Sequence, residues 1–273
     1  MVLKKMNKPI LITGCQRSGT TLLHLILDSH PKIHSIDEMG YAADKVNDYL
    51  DNPDFHPFVS FKLPRFASNL PFLTRFLSKL KVLWCIRDPR DVIVSMLNLH
   101  LKLNEVISVS WLVHPGGAKY EFDHCFPVLD EQTRQKLTIY ETKYRKIEEK
   151  LPVLRSREEA VFAGAFCWRI KNELLKIYER EDIAFEIIRY ESLVKHPKEE
   201  IKKALDFLNV PWHRNVLKHH RLHKGIHMGK TDYSKPIDSE NVGKWRTVFS
   251  NEELELINEL TSPLAESMGY KLA

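Results

Sequence analysis

Short apolar runs alternate along this chain with stretches in which apolar positions return every three or four residues. Pro9-Ile10-Leu11-Ile12-Thr13 and Lys81-Val82-Leu83-Trp84-Cys85-Ile86 read as buried strands, and Ile183, Phe185 and Ile187 alternate as in a third. From Glu158 to Glu179, Phe162, Phe166, Ile170, Leu174 and Tyr178 recur at helical spacing, a stripe that reads as core. Pro197 opens a further helix with Ile201, Leu205 and Leu208 on its inner face, closed by Asn209 and Pro211. Ser250-Asn251-Glu252-Glu253 is a capping-box pattern that starts a last helix. Glu131–Leu151 reads as a polar helix and Leu70–Leu80 as a helix feeding the strand at 81–86; residues 33–60 read as irregular, with a short helix near Tyr41–Leu50. Strands alternating with helices predict an α/β fold whose central sheet is mostly parallel, helices covering both faces in three α/β/α layers.

The chain of 273 residues is long enough for one such domain, and 43% hydrophobic with 28% charged residues suits a globular protein. Residues 1–273 are therefore expected to form a single domain. Residues of about 100–157 stand apart as a helical or irregular insertion rich in aromatics and histidines, a natural place for a substrate region. A net charge of +5 suits an anionic ligand, and without a basic block it gives no case for nucleic acid. Nor is there an apolar run long enough to cross a bilayer, or a secretory signal ahead of the first strand. Cys15, Cys85, Cys125 and Cys167 form no C-x-x-C pair, which predicts free thiols in a reducing compartment, with cytoplasm as the simplest location.

The first strand runs into Gly14-Cys15-Gln16-Arg17-Ser18-Gly19-Thr20-Thr21 and then into the apolar Leu22–Leu27. Strand, glycine-bounded loop and helix in this order form an anion cradle, because loop N–H groups and the positive helix end converge on one point. The spacing is that of a nucleotide P-loop, which makes the expected fold P-loop NTPase-like. However, Thr20 stands where a kinase or ATPase carries its phosphate-gripping lysine. Arg17 lies inside the loop, where a guanidinium can bond a phosphate. The strand at 81–86 runs into Arg87-Asp88-Pro89-Arg90-Asp91, with Asp88 a good N-cap and Pro89 suited to the first helical position. Arg87 at the strand end and Ser95 two turns into the helix suit a second phosphate at the carboxyl edge of the sheet. Two phosphate sites imply a nucleotide phosphorylated at two places.

These two motifs together resemble the sulfotransferases that use 3′-phosphoadenosine-5′-phosphosulfate (PAPS). Gln16-Arg17-Ser18-Gly19-Thr20-Thr21 matches their 5′-phosphosulfate loop, and Arg87 with Ser95 eight residues later matches their 3′-phosphate motif. The likeness is greatest to tyrosylprotein sulfotransferases and related bacterial enzymes. It extends through Arg189–Pro197, Asp206–Trp212, Val242-Gly243-Lys244-Trp245-Arg246 and Met268-Gly269-Tyr270, and it fails over about residues 100–157. The resemblance implies that Glu38 is the base, with Asp37 beside it as an alternative, and that Lys62 contacts the donor near its leaving group. It implies donor contacts from Tyr190 and from the Lys230–Lys235 loop, Lys235 among them. A histidine base, as in many cytosolic relatives, leaves His34, His114 and His124 open.

The reaction so implied moves a sulfuryl group from PAPS to an acceptor hydroxyl or amine and releases 3′,5′-bisphosphoadenosine. Needs like those of phosphoryl transfer follow: alignment, charge stabilisation and removal of the acceptor's proton. The acceptor stays open among small molecules, saccharides, lipids and peptide tyrosine. No metal is expected, since arginine, lysine and backbone N–H groups supply the positive charge. His219, His223 and His227 would share a helical face, but Lys218, Arg221 and Lys224 beside them disfavour a cation and Gly225 breaks the helix. A P-loop kinase for a small metabolite and a non-catalytic nucleotide-binding module are the competing readings. Thr20 and the second phosphate motif count against the first, and Arg17, Glu38 and Lys62 together count against the second.

Overall fold

A computed structural model of the protein describes residues 8–38, 57–69, 80–103, 107–110, 117–149, 156–227 and 230–272. The helices expected at Tyr41–Leu50 and over most of Leu70–Leu80 lie outside these residues. The chain divides into two compact units, each built from two separate stretches: Met1–Ile86 with Arg180–Ser239, and Arg87–Glu179 with Glu240–Ala273.

Among the described residues the first unit is built on five strands: β1 (Lys8–Gly14), β2 (Ile33–Asp37), β3 (Phe58–Lys62), β4 (Lys81–Ile86) and β7 (Phe185–Arg189). They form one sheet in the order β2-β3-β1-β4-β7, and every neighbouring pair is parallel. Helices α1 (Thr20–Asp28), α7 (Tyr190–Lys195) and α8 (Pro197–Leu208) connect or flank the strands. Leu23, Ile26 and Leu27 of α1 and Ile201, Leu205 and Leu208 of α8 pack in one core with Ile10, Ile12, Leu83 and Ile188 of the sheet. Asn209 ends α8 in the left-handed conformation (φ 58°), as its place in the sequence predicts.

Residues 33–60 are less irregular than the sequence predicts, for they contain β2 and most of β3. The reason is burial on both faces: all five residues of β3 are buried, Ser60 and Lys62 included, so no alternation marks the strand. Parallel register then sets Asp37 beside Lys62, and Lys62 beside Ile12 near the end of β1. The carboxyl ends of β1, β2 and β3 thus open at the same edge as the loop after β1, where ligands bind in such sheets.

Among the described residues the second unit is helical, with one antiparallel pair, β5 (His100–Leu103) and β6 (Ile107–Ser110). Its helices are α2 (Pro89–Leu97), α3 (Ala118–Cys125), α4 (Glu131–Glu148), α5 (Arg157–Glu173) and α10 (Asn251–Ser267). The stripe expected over Glu158–Glu179 is buried, but it is split into α5 and α6 (Leu175–Arg180) by a turn at Leu174. Gly164 lets α2 come close to α5, since a Cβ there would sit 3.2 Å from Ile93 Cγ2. Phe122, Phe126, Tyr144 and Phe166 cluster where α3, α4 and α5 meet. Lys171 and Glu121 form an ion pair wholly inside this unit. The capping box at Ser250 and Glu253 forms as the sequence predicts.

Candidate active site

The loop between β1 and α1 is shaped by its own backbone. Gly14 turns at φ 123°, and a Cβ there would lie 2.2 Å from the Cys85 carbonyl oxygen of β4. Arg17 takes φ 70°, a left-handed conformation that costs a non-glycine residue roughly 1–2 kcal/mol. Such strain gathers where a loop is shaped for a ligand. The Ser18 N–H donates to the Cys15 carbonyl at 3.2 Å and closes the turn. Gly19 is the N-cap of α1 and supplies no side-chain cap, so the first-turn N–H groups have no acceptor within the helix. The Ser18 hydroxyl is buried, and its oxygen has no hydrogen-bond partner among the described residues. A buried hydroxyl without a partner beside an uncapped helix start fits a bound phosphate group.

At the ends of β2 and β3 the structure brings four polar side chains together. Lys62 is 1% exposed, and its ammonium donates to Glu38 Oε1 at 3.2 Å. It also meets His227 Nε2 at 3.3 Å, while Asp37 Oδ2 lies 4.0 Å away. His227 Nε2 is in turn 3.5 Å from Asp37 Oδ2. Glu38 retains 30% side-chain exposure, so its carboxylate is reachable from solvent and not sealed in an apolar pocket. A cation and a carboxylate held together at a sheet edge can stabilise a leaving oxygen and accept a proton.

Behind Lys62 runs a buried polar chain. His24 Nδ1 of α1 meets Ser35 Oγ of β2 at 2.7 Å, and Ser60 Oγ of β3 donates to Ser35 Oγ. Burial, helped by the Lys62 ammonium, lowers the His24 pKa to about 4. The chain satisfies polar groups that the short strands β2 and β3 carry into the interior.

In the second unit Arg87 is buried, and its Nη2 donates to the Asn241 carbonyl and stands 4.0 Å from Asp91 Oδ2. The Trp168 indole donates to the Arg87 carbonyl at 3.1 Å, which fixes the backbone just before α2. Asp88 caps α2 by accepting from the Arg90 N–H at 2.9 Å. Asp91 accepts from the Gly243 N–H at 2.7 Å and from the Trp245 N–H at 3.2 Å. The Arg90 guanidinium lies 3.8 Å from the Trp245 ring centre. Gly243-Lys244-Trp245 is thereby fastened to the helix that carries Ser95, and Ser95 itself is half-buried.

The remaining expected residues lie on several different elements. Tyr190 is buried at the start of α7, against Gly19 of the loop. Lys235 is exposed, with its N–H donating to the Asp232 carbonyl. His34 is half-buried on β2, and exposed His124 bonds the Tyr120 carbonyl within the second unit. His114 lies outside the described residues. His219 is buried at the start of α9 (His219–Leu222), and burial lowers its pKa to about 4. Among the described residues no group of three or more His, Cys, Asp or Glu is arranged to hold a metal ion. The four cysteines are free and buried. His227 beside Lys62 was not legible as part of this cluster, because the contact spans 165 residues.

Comparison with known proteins gives a consistent result. The model of a family described as "Sulfotransferase domain" matches residues 7–269. A putative protein-tyrosine sulfotransferase of Caenorhabditis briggsae is 21% identical over 98% of this chain and 91% of its own length. The protein-tyrosine sulfotransferase of Drosophila melanogaster is 30% identical over 96% of the chain, which spans about half (51%) of that relative. Among solved structures, the sulfotransferase domain from the curacin biosynthetic pathway aligns with a TM-score of 0.57 at 16% identity, covering 98% of this chain and 99% of its own. The sulfotransferase domain of the Synechococcus PCC 7002 olefin synthase aligns at 0.54 and 15% identity, covering 98% and 96%. At these identities the two structures show a shared fold.

Proposed function

The chain belongs to the sulfotransferase domain family, and on that premise we propose that it is a PAPS-dependent enzyme sulfating an acceptor hydroxyl or amine. The observation that carries the reading is the Lys62 ammonium held 3.2 Å from the Glu38 carboxylate, at the sheet edge onto which the loop after β1 also opens. PAPS, when bound, supplies the activated sulfuryl group. The N–H groups of Gln16–Thr21 and the Ser18 hydroxyl would hold its 5′ phosphate, and Arg17 would neutralise the charge there. Arg87 and Ser95 are proposed to read the 3′-phosphate, with Tyr190 and Lys235 as further donor contacts. Lys62 stabilises negative charge on the leaving oxygen, an interaction strongest in the transition state. Glu38 takes the acceptor's proton, and its partial exposure leaves an approach for that acceptor.

Peptide tyrosine is the acceptor class that the names of the curated relatives support. The free, buried cysteines favour a reducing compartment such as the cytoplasm. The reading is tested by calorimetric titration with 3′,5′-bisphosphoadenosine, 5′-AMP, and ATP with magnesium, followed by sulfuryl transfer to a tyrosine peptide. Tightest binding of 3′,5′-bisphosphoadenosine and turnover in EDTA are expected. Preference for ATP with magnesium, or turnover that needs magnesium, overturns it in favour of a kinase.

A further inference from the structure

We propose that His227 is a positioning residue for Lys62, accepting a hydrogen bond from its ammonium through Nε2 and so fixing the cation without neutralising it. The inference rests on the role proposed above for Lys62. An ammonium has three N–H donors and no acceptor, whereas a neutral imidazole has one donor and one acceptor nitrogen. His227 Nε2 faces Lys62 Nζ at 3.3 Å and Asp37 Oδ2 at 3.5 Å. The lysine contact requires a lone pair on Nε2, and the aspartate contact requires a proton there. One nitrogen cannot meet both demands. The shorter contact, to a side chain that can only donate, assigns the lone pair to Lys62 and the imidazole proton to Nδ1.

This arrangement suits a transfer reaction. Glu38 already takes one N–H of Lys62, and Asp37 adds a second carboxylate at 4.0 Å. Another carboxylate would spend more of the positive charge that a leaving oxygen needs. A neutral acceptor takes a second N–H, holds the side chain in place, and leaves a third donor to reach a ligand. The backbone around His227 is itself fixed. Its N–H donates to the Thr231 carbonyl at 2.8 Å, and its carbonyl accepts from the Lys230 N–H at 2.7 Å. An Ile226–Asp232 bridge and a Tyr233 N–H to Gly225 carbonyl bond at 2.9 Å complete the turn. The loop expected to contact the donor therefore begins next to the residue that sets Lys62.

The test has two arms. Nitrogen-15 NMR of the imidazoles, assigned by loss of one signal in His227→Ala, reads the tautomer without any turnover. The Nδ1–H tautomer is expected, with a shift at Nε2 in Lys62→Met; an Nε2–H tautomer, or no response to Lys62→Met, overturns the proposal. The second arm is single-turnover kinetics with saturating donor. His227→Ala and His227→Asn should slow transfer about 10²-fold, as expected for a misplaced catalytic group, with little change in the dissociation constant of 3′,5′-bisphosphoadenosine. Gln, whose amide oxygen falls near the Nε2 position, should restore most of the rate. His227→Ala should cost nothing further in a Lys62→Met background. Equal losses for Gln and Ala, or additive losses with Lys62→Met, overturn it. Absence of sulfuryl transfer in the wild type would instead refute the reading of the site, leaving the tautomer result to stand or fall alone.

Discussion

Gly19 lies against the Cδ2 edge of the Tyr190 ring: a Cβ on Gly19 would stand 2.6 Å from Tyr190 Cδ2 and 3.3 Å from Cε2. The close approach joins the start of α1 to the start of α7 and leaves room for no larger residue between them. Gly19 also sits at φ 90°, a conformation that L side chains avoid. Gly19→Ala should therefore add about 1–2 kcal/mol of backbone strain and displace the ring. A lower melting temperature and weaker 3′,5′-bisphosphoadenosine binding are expected by thermal shift and calorimetry. Unchanged affinity would show that loop and ring yield without disturbing the nucleotide.

Glu38→Gln should preserve the contact with Lys62 while removing the proton acceptor. General-base catalysis contributes about 10²- to 10⁴-fold, so a loss in that range is expected in single-turnover rate. The loss should shrink for acidic acceptors such as nitrophenols, which arrive partly deprotonated. Parallel plots of rate against acceptor pKa for wild type and variant would move the base to Asp37 or to a histidine.

Arg87→Ala should weaken 3′,5′-bisphosphoadenosine by about 1.5–3 kcal/mol, the range for a hydrogen bond to a charged group, while 5′-AMP affinity barely changes. Comparison of the two nucleotides by calorimetry checks this. Equal losses would show that Arg87 does not read the 3′-phosphate.

Asp91→Ala removes the acceptor of two N–H groups, those of Gly243 and Trp245. With Asp91 almost fully buried, a loss of about 1–3 kcal/mol in unfolding free energy is expected in urea titration. Asp91→Asn, which keeps one acceptor oxygen, should lose less. Equal stability of Asp91→Ala and wild type would show that the Gly243–Trp245 segment is held by other contacts.

His24 gives the protein an acid-sensitive limb. Its folded pKa of about 4 lies below the ordinary histidine value of 6.5, so the unfolded chain binds more protons between those pH values. Stability contributed by neutral His24 is then full above about pH 6.5 and declines as pH falls toward 4, by roughly 2–4 kcal/mol at most. Chemical denaturation from pH 7 to 4 should show this decline, and His24→Gln should flatten part of it. Parallel profiles for the two proteins would remove His24 as the cause.

Much of this protein is written in local sequence. Asp88 caps α2, Asn209 ends α8, and Ser250 with Glu253 opens α10, because caps depend on residues within one turn of each other. The loop from Gly14 to Thr21 was legible for the same reason, its glycines and its neighbouring strand and helix being contiguous. Strand β3 was not legible, since a strand buried on both faces loses the alternation that marks it, and β2 was missed with it because its short run Ile33-His34-Ser35-Ile36-Asp37 mixes polar and apolar positions without a strict period of two. Lys62 could be named from a resemblance, but not its company. Parallel register sets Asp37 beside it, and a contact across 165 residues supplies His227. Nor does sequence reveal that Asp91 fastens the Gly243–Trp245 segment, or that Glu38 stays partly exposed. Sequence by itself thus determined the elements and the anion-binding loop, which short-range sterics and hydrogen bonds dictate. Tertiary structure alone decided which charges meet at Lys62, because that depends on strand order and register, and these arise only when the whole sheet packs.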